Sequence, residues 1–254
     1  MNISLIGTGN AATVLAKLIV SKGHHLQEIV ARNLKAAEEL TTQTGGRPRL
    51  IADFIPENCD LIIVALSDNS LPDAIAGIDF KEIPVVHTAG AVSIGVLKNL
   101  AVNYGVLYPL QSLRKDMQAI PPIPFLIEAN NEKTGRLIQD FAFTLSDNVR
   151  SVGEEDRLRL HAAAVVVNNF TNYLYILAED FCKKENVDFD LLKPLIRETA
   201  ARIEERSPAS LQTGPAVRND IDTIDKHLAL LIYYPELKKV YHVLTEGLIK
   251  GIPT

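Results

Sequence analysis

The sequence has few of the residues on which disulfide-rich and metal-binding proteins depend. Its 254 residues include only two cysteines, Cys59 and Cys182, and neither belongs to a C-x-x-C pair. Isolated cysteines are typical of a reducing compartment, so we expect a cytoplasmic protein with two free thiols. No cluster of histidine, cysteine or carboxylate residues has the spacing of a metal site, so we expect no metal cofactor.

Long apolar runs and a large excess of charge of one sign are also lacking. The longest run, Leu228–Tyr234, is far shorter than the roughly 18 residues that a membrane span requires. No charged and then apolar leader precedes the first predicted strand, so we expect no signal peptide. The formal net charge of −5 argues against nucleic acid as a partner. We therefore expect a globular protein with a small-molecule partner and neither membrane nor nucleic acid.

The first dozen residues carry a clear motif. An apolar stretch runs into Gly7-Thr8-Gly9-Asn10-Ala11-Ala12, which fits the dinucleotide-binding pattern G-x-G-x-x-A. In that pattern the first glycine allows a tight turn, the second lets the backbone approach a pyrophosphate, and the alanine lets the helix pack closely. The following helix would point free N–H groups at the phosphates. We predict that residues 7 to 11 bind the cofactor; the alternative is a tight structural turn.

The residues at the end of the second predicted strand indicate which dinucleotide is bound. NAD-binding proteins with this pattern usually have a carboxylate there, which holds a ribose hydroxyl. This chain has Arg32 and Asn33 instead. A guanidinium matches a phosphate in geometry and in charge, so we predict that the two residues bind the 2′-phosphate of NADP. The alternative is a solvent-exposed arginine at a strand end.

Strand and helix patterns alternate up to residue 152, and only helical patterns follow. The apolar run within Cys59–Leu66 is typical of a strand buried on both faces of a parallel sheet. The predicted fold class is α/β, with a Rossmann-type doubly wound, mostly parallel sheet followed by an all-α domain. We place an NADP-binding domain at 1–152 and a helical domain for substrate binding and dimerisation at 153–254.

One long helix is predicted from about Glu155 to Lys184. Polar residues share one side of it at about 100° per residue, namely His161, Asn168, Asn172, Tyr175 and Glu179. A helix that is apolar on most faces is buried, and buried polar groups need partners. The polar residues therefore line the active-site cleft beside the nicotinamide, or they face solvent or form an internal hydrogen-bond network.

Several segments, in this order, resemble one family of proteins. They are Gly7 to Ala12, Arg32-Asn33, His87–Gly90, Tyr108–Gln111, Leu160–Ala164, Asn168–Asn172 and Gln212–Asp220. The family is that of Rossmann-like NADP oxidoreductases with a C-terminal domain of unknown function. It is similar in plan to pyrroline-5-carboxylate reductase and to the deazaflavin-dependent NADP reductases. The resemblance covers nearly the whole chain, and its last segment is the most family-specific.

The resemblance implies further cofactor contacts. Leu66 and Ser67 would lie over the adenosine side, and Thr88, Ala89 and Gly90 would approach the nicotinamide. Hydroxyacid dehydrogenases of similar architecture carry a catalytic lysine on the long helix between their domains. No lysine occurs here between residues 154 and 182, which argues against hydroxyacid chemistry and leaves the acid–base group open.

The cofactor carries the hydride, so the protein must orient the cofactor and the substrate and supply a proton. His161 is the best candidate for the proton donor, since an imidazole titrates near pH 6.5. Tyr108 and Tyr175 are weaker candidates. We also name Asn168 and Asn172 as catalytic candidates, because they share the helix with His161.

Three residues are predicted to bind the substrate. Tyr108 is one of them, and Arg218 could clamp a substrate carboxylate or instead pair with Asp220 or Asp222. Thr213 could bind the substrate or cap a helix that begins near Pro215.

The predicted function is an NADPH-dependent oxidoreductase that acts, as a homodimer, on a small imine or ketone bearing a carboxylate. The alternatives are a non-catalytic NADP-binding or sensing module and a deazaflavin-dependent NADP reductase.

Overall fold

The computed structural model describes residues 1–251. The chain forms two compact units, one of residues Met1–Val166 and a second that begins at Val167. The domain boundary predicted at residue 152 falls between the last strand and the next helix, and that helix is grouped with the first unit. The assignment of a role to each domain stays a prediction.

The first unit is built on an eight-stranded sheet with the order β3-β2-β1-β4-β5-β6-β7-β8. The strands are β1 Asn2–Ile6, β2 His25–Ala31, β3 Arg47–Leu50, β4 Leu61–Val64, β5 Val85–His87, β6 Tyr104–Pro109, β7 Phe125–Ala129 and β8 Val149–Ser151. Neighbouring strands are parallel except β6 and β7, which are antiparallel. The predicted fold class, a doubly wound and mostly parallel sheet, is confirmed.

Both faces of the central strands are buried. Successive side chains of a strand point to opposite faces of the sheet. Leu5 of β1 therefore belongs to the hydrophobic cluster on one face, and the adjacent Ile6 belongs to the cluster on the other. In β4, Ile63 and Val64 divide between the two clusters in the same way. Burial on both faces explains why these strands read as unbroken apolar runs.

The first four helices of the first unit connect these strands, and a fifth follows the last strand. They are α1 Asn10–Ser21, α2 Leu34–Thr44, α3 Leu71–Ile75, α4 Glu132–Leu145 and α5 Glu154–Ala164. Side chains cap two of them: the Asn33 Oδ1 accepts the Lys35 N–H at 3.0 Å, and the Asn131 Oδ1 accepts the Thr134 N–H at 2.9 Å. Helix α1 has no such cap, because Gly9 occupies its N-cap position.

The long helix predicted after β8 is interrupted. Helix α5 continues into a π-helical segment, Val165–Phe170, and then into α6, Thr171–Lys184. A π segment contains more residues per turn than an α-helix. The α-helical spacing that placed His161 and the later polar residues on one side therefore does not hold across this segment. The expected burial was also wrong for this single chain, because Val167 is 73% exposed.

The second unit is helical and has few buried side chains. After α6 it contains α7 Lys193–Arg202, α8 Pro208–Leu211, α9 Ile221–Leu230 and α10 Pro235–Lys250. In the described part of this unit the buried hydrophobic residues are Cys182, Ala216, Ile224 and Leu231. Among the residues that the structure describes, no helix combines the length and the hydropathy needed to cross a bilayer.

The helix predicted to begin near Pro215 begins at Ile221 instead. Asp220 supplies its N-cap, since its Oδ1 accepts the Thr223 N–H at 3.2 Å. Its Oδ2 accepts the Thr223 hydroxyl at 2.9 Å. A capping aspartate competes well for the start of a helix, and the residues before it form turns.

Candidate active site

The carboxyl ends of β1, β2 and β4 meet at a cleft of about 340 Å³. The order of the strands reverses between β1 and β4, the position at which open α/β sheets bind their ligands. Many of the residues predicted to bind the cofactor line this cleft, namely Gly7, Thr8, Gly9, Arg32, Asn33, Leu66 and Ser67.

The two glycines of the motif are required for different reasons. Gly7 has a φ of +128°, and a Cβ there would lie 2.2 Å from the Ala65 carbonyl oxygen. The fold itself therefore needs glycine at position 7. A Cβ at Gly9 would meet nothing within 4 Å. No contact within the described chain requires glycine at position 9, whereas a pyrophosphate approaching the backbone would.

The first turn of α1 is suited to an anion. Its N-cap residue is Gly9, no side chain caps the helix, and its first turn contains no acidic residue. The first N–H groups of a helix have no partner within the helix, and the helix dipole adds partial positive charge there. Since Gly7, Thr8 and Gly9 line the cleft, a phosphate group could reach these N–H groups.

Arg32 is exposed at the mouth of the cleft and forms no ion pair with any described residue. By contrast, Arg49 on β3 pairs with Glu28 at 2.7 Å. A guanidinium without an acidic partner is available to a phosphate, so the geometry fits the 2′-phosphate of NADP. Asn33 has a structural task as well, since it caps α2.

Other predicted cofactor residues do not line this cleft. Asn10 accepts the Lys115 N–H through its Oδ1 at 3.1 Å, and Ala11 is partly buried in the first turn of α1. Thr88 and Ala89 are buried beyond the end of β5, where the Thr88 N–H donates to the Val64 carbonyl at 3.1 Å. Gly90, next to them, belongs to a second cluster.

That second cluster joins Gly90, Tyr108 and His161. The Tyr108 hydroxyl lies 2.9 Å from the His161 Nδ1, and the two rings meet edge to face with their centroids 5.8 Å apart. A Cβ on Gly90 would lie 2.6 Å from the His161 Nδ1 and 3.1 Å from the Tyr108 Cε2. Glycine at position 90 therefore leaves the space that the two rings fill.

The state of the imidazole determines the direction of this hydrogen bond, because the Tyr108 phenol keeps its proton. Burial and then the carboxylate of Asp68 raise the pKa of Tyr108, and the Arg157 charge acts in the opposite direction. The phenol is thus protonated at neutral pH and can donate to the Nδ1 of a neutral His161. When the imidazole is protonated, its Nδ1–H donates to the phenol oxygen and its Nε2–H is left for another acceptor.

Arg157 lies one turn before His161 on α5 and is only 1% exposed. Its Nη1 donates to the Glu128 carboxylate, its Nη2 to the Val92 carbonyl at 2.6 Å, and its Nε to the Gly90 carbonyl at 3.3 Å. The sequence interpretation missed this residue. Its spacing of four from His161 was the available signal, because residues four apart share a helix face.

His87 is fully buried at the end of β5. Its Nδ1 accepts the Ala89 N–H at 3.2 Å, so the neutral ring carries its proton on Nε2. Nε2 has no hydrogen-bond partner among the described residues. Burial, and then the charge of Arg157, lower the pKa of His87 to about 4. A neutral ring at physiological pH follows.

The remaining candidates belong to the second unit. Asn168 in the π segment and Asn172 in α6 are exposed, and so are Thr213 and Arg218 in the turns before α9. In the described part of the chain Arg218 forms no ion pair with Asp220 or Asp222, and the Asp220 carboxylate is occupied in capping α9. The catalytic and substrate-binding roles of these four residues stay predictions.

Two known families match separate parts of the chain. Residues 2–90 match the family described as NADP oxidoreductase coenzyme F420-dependent. Residues 123–247 match a domain of unknown function, DUF2520. No curated protein matches the chain significantly.

Solved structures resemble the chain over nearly its full length. A protein from Bacteroides fragilis, provisionally described as an NADP oxidoreductase, is 36% identical with a TM-score of 0.90, and the alignment covers 98% of both chains. A reductive aminase from Aspergillus terreus, solved with NADPH and ethyl levulinate, is 16% identical with a TM-score of 0.73; the alignment covers 98% of this chain and 93% of that one. The 1-pyrroline-5-carboxylate reductase of Streptococcus pyogenes is 15% identical with a TM-score of 0.63 and 98% coverage of both chains. The last two similarities show only that the fold is shared.

The buried His87 makes the stability of the protein depend on pH. The unfolded chain takes up a proton at this residue near pH 6.5, whereas the folded chain does so only near pH 4. Above pH 6.5 the neutral His87 does not oppose folding. As the pH falls from 6.5 towards 4, the unfolded chain takes up a proton that the folded chain does not, and the free energy of unfolding falls. Between pH 7 and pH 5 we expect a loss of about 2 kcal/mol from this residue alone. Urea unfolding at both pH values measures it.

His87→Gln removes this titration, so its unfolding free energy should change less between the two pH values than that of the wild type. The exposed His25→Gln variant is the matched control and should follow the wild type. Equal pH dependence in all three proteins would contradict the low pKa of His87.

Proposed function

Because the chain belongs to the family of NADP oxidoreductases that combine a Rossmann-type domain with a helical domain of unknown function, we propose that it is a cytoplasmic NADPH-dependent reductase of a small imine or ketone. NADP is the cofactor of this family. The observation that carries the proposal is the cleft at the ends of β1, β2 and β4. An uncapped helix N-terminus, the open space at Gly9 and the unpaired Arg32 lie together there.

His161 is the proposed proton donor. NADPH supplies the hydride when it is bound, and the substrate atom that gains negative charge then needs a proton. A protonated His161 can deliver it from Nε2, while its Nδ1–H donates to the Tyr108 oxygen. Tyr108, predicted from the sequence to bind substrate, is placed in this proposal beside the imidazole, where it fixes the orientation of the ring.

The substrate class is also proposed. Imines and ketones are suggested by the family plan and by the reductive aminase among the structural neighbours. We retain Arg218 as the proposed clamp for a substrate carboxylate, because its guanidinium is exposed and without an acidic partner in the described chain. Asn168, Asn172 and Thr213 are retained as proposed polar contacts of the same second unit.

The homodimer is proposed because the second unit has too few buried side chains for its size. Large apolar residues such as Phe170, Ile176 and Leu244 are more than half exposed in the single chain. Helical units of this size normally bury such residues, and a second copy of the chain would cover them. Sedimentation velocity at micromolar concentration should show a dimer, and a monomer alone would contradict this part of the proposal.

The assignment of the cofactor is tested through Arg32. Arg32→Ala should weaken NADPH binding by roughly 10- to 100-fold, because a charge-assisted contact to phosphate contributes about 1.5 to 3 kcal/mol. Binding of NADH, which lacks the 2′-phosphate, should change little. Thermal shift and fluorescence titration with both nucleotides measure the two effects.

Arg47→Ala is the matched control, because Arg47 is exposed at the start of β3 and is not among the residues of the cleft. It should bind both nucleotides like the wild type. An equal loss of NADPH and NADH affinity in Arg32→Ala would contradict the 2′-phosphate assignment. If neither nucleotide stabilises the wild type, the glycine motif serves only as a structural turn.

The chemistry is tested with a panel of small imines and ketones, with and without a carboxylate. For any compound that is reduced, His161→Gln should lower kcat by about 10²- to 10⁴-fold, the range of general acid catalysis. Tyr108→Phe should lower it by roughly tenfold, because the imidazole loses one positioning hydrogen bond. The affinity for NADPH should stay within about twofold in both variants.

Two results would support other functions. If NADPH binds tightly but no compound of the panel is reduced, the chain is a nucleotide-binding or sensing module. If a deazaflavin is reduced by NADPH and the panel is not, the hydride goes to that cofactor, a reaction that fits the family matched by residues 2–90. A reduction that does not depend on His161 would remove the imidazole from the mechanism.

A further inference from the structure

The buried Arg157 has more acceptors than a structural ion pair needs. One N–H group neutralises Glu128 on β7, and two others go to the Gly90 and Val92 carbonyls in the segment after β5. Burying a charge is costly unless it is paired and fully hydrogen-bonded. Arg157 meets this requirement, because its buried guanidinium donates to a carboxylate and to two carbonyls. Both carbonyls belong to one short segment of backbone.

That segment, Gly90–Ser93, is here called the Gly90 loop. Charged side chains hold it from other directions as well. Asp68, in the loop after β4, accepts the Ala91 N–H at 3.2 Å. Glu154, at the start of α5, accepts the Ser93 hydroxyl at 2.6 Å. Because each anchor binds a different residue of the loop, the backbone has little freedom to shift.

Gly90 connects this anchoring to the proposed site. Because Gly90 has no Cβ, the His161 imidazole and the Tyr108 ring pack closely against its backbone. Arg157 and His161 are also four residues apart on α5, so the guanidinium and the imidazole leave the same helix face. A shift of the Gly90 backbone would press on the imidazole or release it, and the 2.9 Å hydrogen bond to Tyr108 would change.

We propose that Arg157 is a positioning residue, which fixes the Gly90 loop against the Tyr108–His161 pair and so sets the direction of the imidazole. The positioning itself stands on the geometry alone. Its catalytic consequence rests on the proposed function.

Arginine is suited to this task in a way that lysine is not. Its planar guanidinium presents N–H groups in a fixed fork, which reaches two carbonyls and a carboxylate at the same time. A lysine ammonium would keep the charge opposite Glu128 but is a compact point charge on a flexible stem. Arg157→Lys should therefore keep the ion pair and lose part of the geometry of the loop.

The test must separate positioning from stability. Arg157→Met alone leaves the Glu128 charge without its partner. The main test is therefore the double variant Arg157→Met with Glu128→Gln, which removes both charges. Arg157→Lys is the conservative variant. Arg159→Met is the matched control, since Arg159 lies on the same helix, is exposed, and among the described residues pairs only with Glu155 and Asp156.

The first readout needs no substrate. The α-protons of Gly90 lie beside two aromatic rings and should carry ring-current shifts in an NMR spectrum. In the double variant we expect these shifts to be reduced and the contacts between Gly90 and the His161 ring to be weakened. Arg157→Lys should be intermediate, and Arg159→Met should match the wild type. Wild-type Gly90 signals in both Arg157 variants would overturn the proposal, even if one of them were less stable.

The second readout is turnover of the best compound from the imine and ketone panel. A small misplacement of a catalytic group costs roughly 10- to 100-fold in rate, so kcat should fall by that factor in the double variant. KM and the affinity for NADPH should stay within about twofold. Unchanged kcat would overturn the catalytic consequence. If the wild type reduces nothing, the proposed function fails while the NMR result still decides the positioning role.

Discussion

The close approach of Gly7 to the Ala65 carbonyl is the contact on which the cleft depends. The turn after β1 passes so near the end of β4 that a Cβ would lie 2.2 Å from that oxygen. The approach places the first turn of α1 above the ends of two adjacent strands. Gly9 and the uncapped N–H groups thus open onto the same space as Arg32 at the end of β2. The cleft is a consequence of this packing.

The same edge of the sheet carries the second cluster. Strand β5 lies next to β4, and β6 lies next to β5. The Gly90 loop follows β5, Tyr108 is on β6, and α5 brings His161 and Arg157 to them. The proposed cofactor-binding groups and the proposed proton donor are therefore all part of the first unit. This arrangement agrees with the rule that parallel sheets bind ligands beyond their carboxyl ends.

Local patterns were sufficient to select residues that the structure places in the cleft, and their cofactor-binding role stays a prediction. The glycine motif and Arg32 lie directly after strands, where position alone indicates a role, and both line the cleft. Arg157 could not be assigned in this way, because its acceptors at Gly90, Val92 and Glu128 come from distant parts of the chain. The start of α9 was misjudged because Pro215 is a good first residue of a helix, whereas the side chain of Asp220 supplies the actual cap. The π segment leaves no simple spacing signal, so the polar side of the long helix was extended too far.

The membership of α5 in the first unit changes where the compact unit that contains the cleft ends. The sheet is complete at β8, and a division of the chain there would look natural from the strands alone. Such a fragment would keep the cleft intact, but it would leave the Glu128 carboxylate without its cation and the Gly90 and Val92 carbonyls without their donor. The compact first unit therefore extends one helix beyond its sheet, and that helix carries the proposed proton donor.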